Sequence, residues 1–151
     1  MSERRRRRPD RAAPQLRATG GSGTPLARKL GIGAGSVVHL VAAPAAYRAL
    51  LAPLPPDVRF AAAADAATDI VHVFATWRAD FAPTLAALRR TLRADAALWV
   101  SWPKQAARVP TDVTEDVIRA VALPLGLVDI KVCAVTDVWS GLKLVVRREL
   151  R

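Results

Sequence analysis

Residues 36–42, SVVHLVA, form an apolar run that constrains the fold of this chain more than any other segment. The run carries no charge and is rich in β-branched valine, which is typical of a strand covered on both faces. A short helix-like segment at residues 25–30, closed by Gly31, precedes the run, and a second helix-like segment at residues 45–51 follows it. A buried strand between two helices predicts an α/β sheet.

Strand and helix patterns alternate along the rest of the chain. Apolar runs predict strands at residues 58–62, 70–75 and 97–102, and helical periodicity predicts helices at 81–92 and 117–125. We expect Asp80 to cap the first of these helices, and Asp112 and Glu115 have capping-box spacing before the second. Two last strands, residues 128–135 and 139–147, are too close for a crossover helix, so they must form an antiparallel hairpin. The order predicts a Rossmann-like, mostly parallel sheet that ends in this hairpin.

The length and composition predict one α/β domain at residues 24–151 and a basic tail at residues 1–23. A chain of 151 residues, 52% of them hydrophobic, can bury one sizeable core. No apolar stretch reaches the roughly 20 residues that cross a bilayer, and no secretory signal follows the basic start, so we expect a cytoplasmic protein without membrane contact. Cys133 has no disulfide partner, and its apolar neighbours predict a small buried side chain.

The net charge of +10 is concentrated at the start of the chain, where residues 1–23 hold seven arginines against Glu3 and Asp10. Such a segment buries little apolar surface, so we expect disorder. Five consecutive arginines could neutralise phosphates and bind nucleic acid without sequence specificity: Arg4, Arg5, Arg6, Arg7 and Arg8. A solvated tail explains the same residues, because no aromatic side chains are interleaved with the charges.

Three motifs carry a family resemblance. Residues 98–104 (LWVSWPK), 110–119 (PTDVTEDVIR) and 132–148 (VCAVTDVWSGLKLVVRR) resemble a family of small bacterial proteins classed as a domain of unknown function. That likeness covers residues 26–148 and implies no activity. The order of elements is also similar to a shortened class I S-adenosylmethionine-dependent methyltransferase, whose sheet ends in the same kind of hairpin. This second resemblance implies a cofactor site after the first strand.

The expected cofactor residues are missing. Methyltransferases of this class carry an acid near the end of the first strand and then a Gly-x-Gly turn, whereas residues 40–46 here are LVAAPAA. Every one of these residues has a side chain, none is charged, and Pro44 lacks an N–H. No acid ends the second strand to bind a ribose, and one strand and one helix of the usual pattern are absent between Ala64 and Asp69. Gly31, Gly33 and Gly35 precede the strand and are interpreted as turn residues. We therefore expect no cofactor.

Ligands of such sheets bind beyond the carboxyl ends of the parallel strands. Polar and aromatic residues that the sequence places there form a predicted binding rim for a small ligand or a protein partner: Tyr47, Trp77, Ser101, Trp102, Lys104 and Trp139. An indole ring with one N–H suits stacking on a ligand. The same rings could equally form the roof of the core.

Other candidates for chemistry are weak. His39 and His72 would be neighbours on adjacent strands, but two histidines are too few for a metal site and are better interpreted as core residues. Ser101 has no visible base. We therefore predict a non-catalytic methyltransferase-like module that binds a small ligand or a protein. The alternatives are a divergent enzyme, including a methyltransferase with a rebuilt site at Tyr47, Trp77, Trp102 and Lys104, and weak nucleic-acid association through the arginine tail.

Overall fold

The structure is a computed structural model that describes residues 23–151, so the predictions for the arginine tail lie outside the described residues. Its helices are α1 (Leu26–Lys29), α2 (Tyr47–Leu50), α3 (Arg78–Thr91) and α4 (Glu115–Ala122). Its strands are β1 (Val37–Val41), β2 (Arg59–Phe60), β3 (Ile70–Phe74), β4 (Ala97–Pro103), β5 (Leu127–Ala134) and β6 (Trp139–Val146). In this part of the chain, no helix has the length and apolar character needed to span a membrane.

One six-stranded sheet organises the described residues, with the order β2-β1-β3-β4-β6-β5. The strands β2, β1, β3 and β4 are parallel, β6 is antiparallel to β4, and β5 is antiparallel to β6. The predicted parallel sheet and its terminal hairpin are therefore confirmed. The chain adds β2 on one side of β1 and β3 on the other, so the strand order reverses between β1 and β3.

Several predicted boundaries are wrong, and the helix caps explain two of them. Thr114, not Asp112, caps α4, because its hydroxyl accepts a hydrogen bond from the Val117 N–H at 3.2 Å. The Asp112 carboxylate instead accepts a hydrogen bond from the Arg78 N–H at 2.7 Å, so it satisfies the first backbone amide of α3. Asp80 lies in the first turn of α3 and not at its cap position, which Trp77 occupies.

Two separate cores cover the two faces of the sheet. The α3 face, under α3 and α4, buries side chains such as Val73, Leu85 and Ile118, whereas the α1 face, under α1 and α2, buries Trp99 and its neighbours. Side chains alternate between these faces along each strand. The core is therefore divided, and the face of each strand residue follows from its register.

The two histidines are not neighbours, although their strands are adjacent. His39 pairs with Val71, whose side chain packs in the core of the α3 face. His72 pairs with Leu40 and contacts the Tyr47 ring on the α1 face. One residue of register separates them, so their side chains lie on opposite sides of the sheet.

We expect the substitution Gly141→Ala to lower the free energy of unfolding by about 1 to 3 kcal/mol, the usual cost of overpacking. A Cβ atom at Gly141 would lie 2.8 Å from Val135 Cγ2 and 3.3 Å from Trp99 Cε3, both of which belong to buried residues. Denaturant unfolding measures the change. The control is Gly33→Ala, where an added Cβ meets no described atom within 4 Å. Equal stability of the two variants would contradict the predicted crowding.

Candidate functional site

A crevice of about 350 Å³ opens where the strand order reverses, at the carboxyl ends of β1 and β3. Its lining comes from the end of β1, from the end of β3 with the two residues that follow, and from the first turns of α3: Val41, Ala42, Val73, Phe74, Ala75, Thr76, Trp77, Asp80, Phe81 and Thr84. Open α/β sheets bind ligands at this kind of reversal, because the loops diverge there and leave space.

One face of α3 supplies the polar and aromatic side of the crevice. Trp77, Asp80, Phe81 and Thr84 are spaced by three or four residues, so they lie along one side of the helix. Trp77 is 45% exposed, whereas Phe81 is buried in the core of the α3 face. Hydrogen bonds from the Thr111 hydroxyl to the Thr76 carbonyl and from the Arg78 N–H to Asp112 hold this turn against the loop before α4.

The loop after β1 keeps an unusual backbone conformation without glycine. Ala42 has φ +57°, in the left-handed region that glycine adopts most readily. The Tyr47 N–H donates to the Pro44 carbonyl at 3.0 Å, which closes the loop into α2. Methyl groups and a proline ring therefore occupy the loop that would need bare backbone to approach a nucleotide.

The end of β2 carries a cation where a ribose-binding acid is expected from the methyltransferase resemblance. The Arg48 guanidinium lies over the Phe60 ring, with its central carbon 4.0 Å from the ring centroid. Ala61 and Ala62 follow, and the Ala61 carbonyl is 2.9 Å from His39 Nδ1. A small cleft at this point is lined by Leu40, Arg48, Phe60, Ala61 and Ala62, so it offers no carboxylate to accept hydrogen bonds from ribose hydroxyl groups.

A chain of three buried polar side chains lies beneath the carboxyl edge of the sheet, on the α1 face. His72 Nδ1 is 2.6 Å from the Tyr47 hydroxyl, and His72 Nε2 is 2.6 Å from the Ser101 hydroxyl. All three residues are buried. A neutral imidazole carries one N–H, so His72 donates at one end and accepts at the other, and each polar atom is satisfied.

Burial sets the protonation states of this network. Loss of water lowers the pKa of His72 to about 3, so the ring is neutral at ordinary pH. Burial also raises the pKa of Tyr47, so the phenol stays protonated. The network cannot supply a base to the crevice, because none of its members lines it.

The predicted rim does not form one surface. Tyr47 and Ser101 are wrong as rim residues, because both side chains are buried on the α1 face. Trp102 packs against the core of the α3 face, whereas Trp139 packs against the other core, with its ring 5.1 Å from Phe74. The side chains of Trp102 and Trp139 therefore lie on opposite sides of the sheet.

Trp77 and Lys104 keep their predicted places at the carboxyl edge. The Lys104 N–H donates to the Val138 carbonyl at 2.7 Å, which joins the end of β4 to the hairpin tip. Only Trp77 of the six predicted rim residues lines the crevice described above. Whether any rim residue binds a ligand stays a prediction.

The glycine-rich loop before β1 lies at the opposite, amino edge of the sheet. Gly31 and Gly35 adopt φ values of +84° and +76°, which confirms their interpretation as turn residues. They line a cleft of about 370 Å³ beside the ion pair of Arg93 with Asp69. Hydrogen bonds from the Val37 N–H and from Arg93 lower the pKa of Asp69, so its carboxylate stays charged beside the Arg93 guanidinium.

The sequence did not predict that Asp80 lines the crevice, nor that Tyr47, His72 and Ser101 form a buried network. Asp80 was predicted only as a cap, although its spacing from Trp77 and Thr84 indicates a shared helix face. The network could not be found, because it joins residues from three elements through the strand register. Among residues 23–151, no group of three or more potential metal ligands comes together.

Comparisons with known proteins identify the fold. No family model matches the chain, and no curated protein matches it. The chain is similar to a SAM-dependent methyltransferase from Aquifex aeolicus, with 12% identity, a TM-score of 0.57, and coverage of 80% of this chain and 88% of that one. Magnesium protoporphyrin IX methyltransferase from Synechocystis, solved with SAM, gives 10% identity, a TM-score of 0.54, and coverage of 80% and 74%.

A third solved structure, the B. subtilis tRNA methyltransferase TrmK, gives 12% identity, a TM-score of 0.50, and coverage of 84% and 68%. At identities this low, the likeness shows the fold and not the activity. The resemblance to small bacterial proteins stays a prediction. The six-stranded sheet and these neighbours together establish that the chain has a methyltransferase-like Rossmann fold.

Proposed function

We propose that this protein is a non-catalytic methyltransferase-like module that binds a small ligand in the crevice between β1 and β3. The observation that carries the proposal is the position of the crevice, at the strand-order reversal and beside the half-exposed Trp77 ring. The left-handed Ala42 lines the same crevice. Non-glycine residues with positive φ are enriched at active sites and ligand clamps, and Ala42 is the one of the three such residues described, with Asp57 and Arg108, that lines the crevice.

The lining chemistry supports binding over catalysis. Asp80 is the one ionisable side chain among the lining residues, so the crevice offers no acid and base pair. The two residues whose titration is most strongly perturbed, Tyr47 and His72, are buried elsewhere. Apolar walls with a few polar groups are the usual lining of a ligand pocket.

A thermal-shift screen of small metabolites on the full chain tests the proposal. A ligand that binds the native state raises the melting temperature. We expect Trp77→Ala to remove the shift of any hit that occupies the crevice. The control is Leu123→Ala, which truncates a side chain of similar exposure, 50% against 45%, outside the crevice lining. Hits that keep their full shift in Trp77→Ala would contradict the proposed site.

S-adenosylmethionine is expected to bind no better than the millimolar range, because the residues present do not fit it. Side chains fill the loop after β1, and Arg48 lies where a ribose acceptor is needed. Each missing hydrogen bond to a buried or charged ligand group costs about 1 to 3 kcal/mol, so several losses move a micromolar site to this range. Titration calorimetry measures the affinity, and a dissociation constant in the low micromolar range would overturn this expectation.

A further inference from the structure

We propose that the crevice between β1 and β3 selects small organic cations, such as amines with an apolar body, over neutral or anionic molecules of the same shape. The inference rests on the proposed function, since it names the class of ligand for that crevice. Three observations carry it: the charge of the lining, the pairing of an indole with a carboxylate on α3, and the state of the first backbone amides of that helix.

The charge of the lining is opposite in sign to the charge of the protein. The sequence has a net charge of +10, and 16 of its basic residues against 11 of its acidic residues lie within the described range. No lysine or arginine lines the crevice, whereas Asp80 does. The Asp80 carboxylate forms no ion pair or side-chain hydrogen bond with any described residue. An exposed, unpaired carboxylate in a basic protein is available to a cationic ligand.

The arrangement on α3 matches what an ammonium group requires. Trp77 and Asp80 are separated by three residues on one helix face, and both line the crevice. An indole face attracts a cation through its ring quadrupole, and a carboxylate accepts hydrogen bonds from the same ammonium group. The walls formed by Val41, Val73 and Phe81 suit an apolar body attached to that group.

The start of a helix favours anions, so its amides could oppose this selection. Three of them are already satisfied. The Arg78 N–H donates to the Asp112 carboxylate, and the N–H groups of Asp80 and Phe81 both donate to the Trp77 carbonyl. The Asp112 carboxylate also compensates the helix dipole at this end. The helix start therefore attracts anions only weakly, and we expect the Asp80 carboxylate to outweigh this attraction.

Three fragments of equal size test the selection on the full chain: benzylammonium, benzyl alcohol and benzoate. The readout is the indole N–H resonance of Trp77 in ¹⁵N-labelled protein, assigned with a Trp77→Phe variant. We expect benzylammonium to bind about tenfold more tightly than benzyl alcohol, which corresponds to one exposed charge pair with a cation–π contact, and benzoate to bind most weakly.

Asp80→Asn removes the charge pair but keeps the Trp77 ring, so it should lower the tenfold preference to the about two- to fivefold that a cation–π contact alone supports. Asp95→Asn, at the amino edge of the sheet, should keep the preference. Equal binding of amine and alcohol, tighter binding of benzoate, or an undiminished tenfold preference in Asp80→Asn would overturn the inference while the proposed crevice stands. If none of the fragments shifts the Trp77 resonance, the inference about the ligand class fails, whereas the proposed function is decided by the metabolite screen with Trp77→Ala.

Discussion

Replacing Trp99 with alanine is expected to lower the free energy of unfolding by about 3 to 5 kcal/mol, a large part of the stability of a domain of this size. The indole is completely buried at the centre of β4, and its Nε1–H donates to the Leu30 carbonyl at 2.9 Å. Truncation leaves a cavity in the α1-face core and an unsatisfied carbonyl at the end of α1. Chemical denaturation measures the loss.

Two further variants separate the causes of this loss. Trp99→Phe keeps most of the ring but removes the donor, so we expect an intermediate cost of about 1 to 3 kcal/mol. Trp102→Ala should cost less than Trp99→Ala, because Trp102 is only partly buried. An equal loss of unfolding free energy in Trp99→Ala and Trp102→Ala would contradict this expectation. It would mean that a side chain at the edge of the sheet stabilises the fold as much as one inside β4.

Acidification from pH 7.5 to pH 5 is expected to remove about 2 kcal/mol of stability through His72 alone. The pKa of His72 is about 3 in the folded state and 6.5 in the unfolded state. Between these two pH values the unfolded chain binds a proton on this residue, whereas the native state does not. Stability from this residue is complete above pH 6.5 and falls by about 1.4 kcal/mol for each pH unit between 6.5 and 3. Unfolding curves measured across this range give the slope.

The variant His72→Gln removes the titrating group, so its stability should be lower at neutral pH but almost independent of pH between 7.5 and 5. His39→Gln is the matched control and should keep the wild-type slope, because His72 remains buried in it. A wild-type slope in His72→Gln would show that another group binds the proton on unfolding.

Apolar runs were enough to predict the central strands and the terminal hairpin, because a strand covered on both faces leaves a continuous pattern in the sequence. The edge strand β2 was predicted as residues 58–62, but it contains only Arg59 and Phe60. An edge strand has one partner, and its length depends on that partner and not on its own residues. The helix starts were harder to predict, because Asp112 precedes α4 in the sequence but accepts from the Arg78 N–H of α3, a contact that only the folded chain creates.

The edge on which ligands should bind was predictable, but the residues facing it were not. Ser101 lies near the end of a strand that was correctly predicted, yet its side chain points inward because residue 101 shares the face of Trp99. Tyr47 lies in a loop-to-helix segment, where no periodicity shows which side is buried. A shift of one residue in strand register decides whether a side chain lines the crevice or points into the core. The sequence pattern alone does not specify this register.

The left-handed conformation of Ala42 shows how far the loop after β1 differs from a loop that could admit a nucleotide. Its backbone already adopts the torsion that glycine prefers, so a single codon change at this position would relax the turn without rebuilding it. The difference from a nucleotide-binding loop therefore lies in the side chains that cover the turn and in the cation at the end of β2. It does not lie in the path of the main chain.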